Sequence, residues 1–183
     1  MDSKNPLAPL NSTSGPVTRI VGGTEQSVEP FAMQLQYTEG TEPWRFAGCG
    51  GSLISNCHVL TAAHCVHSSF KTDGVYIGAY KPFEAGNGGH KQHFSYVESV
   101  TWNSGFSDTD NANDVAILTL SNCTTGHEIM NIANNDFMSN NIRSGVNVTV
   151  AGFGQLGTTD ETPVETLRSV DVAYIPRQTC NTY

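Results

Sequence analysis

A chain of 183 residues, 38% hydrophobic and 14% charged, has enough apolar content to bury a core, which excludes a disordered polymer and leaves room for one ordinary domain or two small ones. A formal net charge of −8 without any block of like charge excludes a surface built to neutralise phosphates, so neither nucleic acid nor an anionic membrane is an expected partner. No stretch approaches the roughly 20 apolar residues of a bilayer span, and the 18 Gly and 8 Pro along the chain suggest a turn-rich, β-dominated protein.

In chain order, residues 1–18 are rich in Pro, Ser and Asn without periodicity, and read as a flexible leader ending at Arg19. The opening "MDSKNPLAPL" lacks the apolar core of a signal peptide. From Ile20 onward, short apolar or alternating runs recur between Gly, Asn and Asp clusters: "FAMQLQY" (31–37), "GGSLIS" (50–55), "HVLTAA" (58–63), "GVYIGAY" (74–80), "DVAILTL" (114–120), "VNVTVAGFG" (146–154) and "LRSVDVAYI" (167–175). Strict alternation, as at Val146, Val148 and Val150, marks half-buried strands. Short strands at this density predict an antiparallel sandwich or barrel, and no window sustains helical spacing beyond a turn or two. Five cysteines, Cys49, Cys57, Cys65, Cys123 and Cys180, favour an oxidising compartment. Three sequons, at Asn11, Asn122 and Asn147, are possible N-glycosylation acceptors there.

Four ordered motifs carry the function: "RIVGG" (19–23), "GCGGSLIS" (48–55), "LTAAHC" (60–65) and "NDVAILTL" (113–120). On these the chain resembles the trypsin/chymotrypsin-like serine proteases, and the resemblance runs from Arg19 to Tyr183. It implies an all-β fold of two antiparallel Greek-key β-barrels, the second incomplete. Residues 1–19 would be a propeptide-like leader and 20–183 the peptidase domain, with a first barrel at about 30–125 and a partial second at about 140–183. It also implies that His64 is the general base and Asp114 the acid that orients it. The chemistry needs both, because a serine hydroxyl is a weak nucleophile until an imidazole takes its proton, and the imidazole needs a carboxylate to fix its tautomer. The small Ala62 and Ala63 would let His64 face a cleft. Cleavage after Arg19 would free the Ile20 amine for an internal ion pair, which makes an activating protease a possible partner beside protein or peptide substrates. By the same resemblance Cys49 pairs with Cys65 and Cys57 with Cys123, two buried thiols being the alternative for the second couple, while Cys180 is left without its partner. The family needs no cofactor.

Two other patterns carry less. "GFGQLG" (152–157) has dinucleotide-type glycine spacing, but Pro163 follows where a phosphate-holding helix would have to be established. "HKQH" (90–93) has ligand-type side chains in a Gly-rich loop with no Cys or carboxylate cluster to complete a metal site, so no metal is expected. No Gly-Asp-Ser-Gly-Gly-Pro segment occurs, and Ser52 precedes His64 within the strand motif, so it is no substitute nucleophile. The expectation is therefore a fragment of a secreted, extracellular endopeptidase that is inactive as written. The alternative is a noncatalytic homologue that acts as a binding protein.

Overall fold

The computed structural model describes residues 24–25, 32–37, 45–67, 74–78, 93–152 and 167–182. Arg19, Ile20, Asn11, the glycine pattern beyond Gly152 and "HKQ" of 90–92 lie outside these residues. The strands in order are β1 (Thr24–Glu25), β2 (Ala32–Tyr37), β3 (Arg45–Ser55), β4 (His58–Thr61), β5 (Gly74–Ile77), β6 (His93–Trp102), β7 (Ala116–Leu120), β8 (Asn147–Gly152) and β9 (Arg168–Ala173). A single 3₁₀ turn, Ala63–Cys65, follows β4; two short helices, α1 (Asn135–Asn141) and α2 (Arg177–Cys180), flank the β8–β9 pair in sequence. The described residues are thus all-β in character.

Six strands close into an antiparallel barrel in the order β2-β3-β4-β7-β6-β5, with β5 returning to pair with β2. Joining β4 to β7 rather than to β5 gives the barrel its Greek-key rather than meandering course. The alternation in "AILTL" does what its period dictates: Ala116, Leu118 and Leu120 point inward, and Ile117 and Thr119 outward. With Val59 of β4 and Val75 and Ile77 of β5 they form the core, where Val59, Val75 and Leu118 are fully enclosed. Thr61 also points inward and satisfies its hydroxyl on the Gly50 carbonyl at 2.9 Å. Gly51 lies where a side chain has no room, since a Cβ there would meet Val59 Cγ1 at 2.8 Å and the Leu60 carbonyl at 3.0 Å. A separate three-stranded sheet has the order β1-β9-β8, with register Val148↔Val172 and Val150↔Val170.

β6 has no counterpart among the expected strands. Its pairing with β7 shifts register between Val97 and Ser99, so the inward positions change parity halfway along. Its one fully buried side chain, moreover, is Ser95. His93 opens this strand rather than closing a loop. β4 ends two residues earlier than the run "HVLTAA", because Ala63 already belongs to the 3₁₀ turn.

Candidate active site

His64 is the middle residue of the 3₁₀ turn at the end of β4. Such a turn leaves its first amides without backbone partners, and Ala62 at its start offers no side-chain cap. Asp114, just before the neighbouring strand β7, supplies one: Oδ1 accepts the His64 backbone N–H at 2.8 Å. The other oxygen, Oδ2, lies 2.6 Å from His64 Nδ1. One carboxylate therefore holds both the main chain and the ring of the same residue. Beneath it, Ala63 is fully buried in the core and anchors the turn, while the His64 ring stays 38% exposed.

Charge follows geometry. Burial by itself would raise the Asp114 pKa. The hydrogen bond from the His64 amide, the hydrogen bond and positive charge of its ring, and the Ala63 amide outweigh that and hold the carboxyl below its ordinary value. An ionised Asp114 assigns the ring hydrogen to Nδ1 and leaves Nε2 as the basic nitrogen. Nε2 sits 3.4 Å from Cys65 Sγ. That sulfur is bonded to Cys49, with Cα atoms 6.2 Å apart, so it has no hydrogen to donate. Cys49, His64 and Cys65 are the one set of three potential metal ligands close together among the described residues, and the disulfide leaves no thiolate to bind an ion.

The segment before Asp114 is shaped by asparagines. Asn111 and Asn113 hold φ of 53° and 56°, a left-handed conformation that Asn tolerates better than most residues. Asn113 Nδ2 donates to the Gly105 carbonyl at 2.9 Å, and Asn103 Oδ1 accepts the Gly105 amide at 2.9 Å. Asn103 N–H then donates to the Val115 carbonyl at 3.1 Å, closing the loop on either side of Asp114. The His67 ring stands edge-on to Trp102 and Phe106, with centroids at 5.3 and 5.2 Å. Its Nδ1 is 3.3 Å from Asp108 Oδ2 but not aligned as a hydrogen bond. Asn103 and His67 belong to no motif; Asn113 opens "NDVAILTL" without being singled out there, and the positive-φ preference of Asn is the signal that would have marked it.

The structure also joins Cys57 to Cys123, with Cα atoms 4.4 Å apart, and leaves Cys180 free and exposed. Ser52 lies within the β3–β4 ladder opposite Leu60. Asn147 is exposed at the start of β8, and Asn122 is exposed beyond β7.

Residues 20–183 match the family profile Trypsin. The chain belongs to the trypsin family. Membership of this family of serine endopeptidases accords with a barrel that brings an imidazole and a carboxylate together at its rim. Among curated relatives, the chain is 44% identical over 78 residues to chymotrypsin-C of Rattus norvegicus, covering 42% of this chain and 26% of that protein. It is 33% identical to the proclotting enzyme of Tachypleus tridentatus, covering 59% and 30%, and 27% identical to mast cell protease 3 of Ovis aries, covering 95% and 66%. The trypsin-family chain therefore spans between about a quarter and two thirds of the length of these relatives. The solved structure of GrC superposes with a TM-score of 0.72 at 24% identity, over 89% of this chain and 69% of that one, a likeness of fold. No helix among the described residues is long and apolar enough to cross a membrane.

Proposed function

We propose that the protein is a secreted, trypsin-like serine endopeptidase in which His64 is the general base and Asp114 its orienting acid. The nucleophilic serine, the oxyanion donors and the specificity pocket would be supplied by sequence downstream of Tyr183. The observation that carries this reading is the double grip of Asp114 on His64, amide and ring together. A carboxylate so placed keeps the hydrogen on Nδ1 and stabilises the imidazolium that forms when Nε2 takes the serine proton. Nε2 then returns that proton to the leaving amine as the acyl-enzyme forms. Asp114 stays ionised throughout. Proteins or peptides are the substrates, no cofactor takes part, and cleavage after Arg19 by an activating protease would release the Ile20 amine. The two disulfides support an oxidising, extracellular setting.

The test is direct. The natural transcript is sequenced past the codon for Tyr183, and the encoded protein is activated and treated with a fluorophosphonate probe. Labelling and peptidase turnover that His64→Ala reduces by a factor on the order of 10⁴ or more agree with the reading. A native stop codon after Tyr183, or a longer form that never labels, overturns it in favour of a noncatalytic binding homologue. The 183-residue chain alone is expected to hydrolyse no peptide.

A further inference from the structure

The sequon Asn122–Cys123–Thr124 is tied down by the fold at every residue. The Asn122 amide donates to Ser95 Oγ at 3.1 Å, and its carbonyl lies 3.3 Å from His93 Nε2. Cys123 is bonded to Cys57, and the Thr124 amide donates to the Asn56 carbonyl at 2.8 Å. The Thr124 side chain is 1% exposed, and its hydroxyl is buried with no hydrogen-bond partner among the described residues. Asn122 itself faces solvent. Glycosylation acceptors require Ser or Thr at the third position, and those two residues share only a β-hydroxyl, so the hydroxyl is what a transferase must reach. In the folded chain it is out of reach, although Asn122 itself is exposed. At the other described sequon, Asn147 and Thr149 are both exposed, and Thr149 Oγ1 donates to Asp171 Oδ1 at 2.7 Å on the surface.

We propose that Asn122 accepts an N-glycan only until the Cys57–Cys123 disulfide closes and Thr124 is buried, so that oxidation and glycosylation of this segment compete and yield two glycoforms. The proposal rests on the secretory part of the reading above. In one branch the Asn122 amide nitrogen attacks the anomeric carbon of a lipid-linked diphosphate oligosaccharide. A C–N bond forms, the C–O bond to the diphosphate breaks, and the amide proton passes to the transferase. In the other, the two thiols pass two electrons and two protons to a disulfide of a thiol oxidoreductase. A window exists because the bond spans 66 residues. The window closes once the β4–β7 pairing, with His58 opposite Thr119, has assembled and brought Cys57 to Cys123.

The full chain is placed behind a cleavable signal peptide and translated into microsomes under oxidising and under reducing conditions. Occupancy at Asn122 and Asn147 is read by mass spectrometry after enzymatic deglycosylation in heavy-oxygen water. Expected is incomplete occupancy at Asn122 that rises several-fold with reductant and in Cys57→Ser, while Asn147 does not change. Thr124→Val, which keeps the side-chain shape, abolishes the Asn122 signal. Because Cys57→Ser could misfold, a second arm presents purified, oxidised, unglycosylated protein to the transferase, where Asn122 stays unmodified until the protein is reduced and unfolded. Occupancy at Asn122 that ignores redox conditions, or modification of the folded oxidised protein, overturns the proposal. Neither arm reads peptidase activity or natural export, so failure here is distinct from failure of the proposed function.

Discussion

The barrel and the β1-β9-β8 sheet are built from similar strands with opposite fates. In the barrel, alternating residues enclose a core in which Val59, Val75 and Leu118 have no exposure at all. In the sheet, Val150 and Val172 remain 44% and 41% exposed on strands of equally regular alternation. Alternation makes a strand amphipathic, but only closure gives its apolar face somewhere to go. The difference also locates the chemistry, because His64 and Asp114 stand at the ends of barrel elements and draw nothing from the sheet.

The sharpest way to break that comparison is Asp114→Asn in the downstream-extended protein. An amide cannot hold the ring tautomer, so kcat is expected to fall by about four orders of magnitude, while titration calorimetry with a tight-binding inhibitor finds binding retained. A smaller effect separates the two regions by stability. In the 183-residue chain, Leu118→Ala in the barrel is expected to cost about 2–5 kcal/mol in urea unfolding, whereas Val172→Ala in the sheet stays within about 0.5 kcal/mol. Equal losses would mean that the sheet is buried in solution. Asn113→Ala comes next, at about 1–2 kcal/mol for a left-handed backbone without its preferred side chain, and Asn113→Gly should recover most of the backbone part. The smallest effect is in pH. Since the folded pKa of Asp114 is depressed, its contribution to stability is present above the ordinary carboxylate value of 3.8 and is lost as pH falls through the lower folded value. Asp114→Asn should therefore flatten the acid limb of the stability curve below that value, and an unchanged limb would remove Asp114 as its source.

Much of this architecture was legible before any coordinates. "AILTL" and "VNVTV" announce strands because their apolar positions keep one parity, and the motifs around His64 and Asp114 name two side chains that the fold brings into contact. β6 was not legible: a register shift and a buried Ser95 break its alternation, and neither leaves a mark in composition. α1 was too short for periodicity, although its Asn134 cap, accepting the Phe137 amide at 2.8 Å, is of an ordinary kind. The role of Asn113, though the residue opens a quoted motif, was invisible for another reason. Asn signals a turn wherever it occurs, and only the bond to Gly105 shows that this turn aims Asp114.

The grip of Asp114 on His64 has the logic of a chelate. When thermal motion or a water molecule parts the carboxylate from the ring, its other oxygen is still held to the amide of the same residue, and the broken contact re-forms at high effective concentration. A proton-handling imidazole can thus stand open to incoming reactants at Nε2 without its orientation being eroded by solvent, which is the opposite of what an isolated surface ion pair achieves.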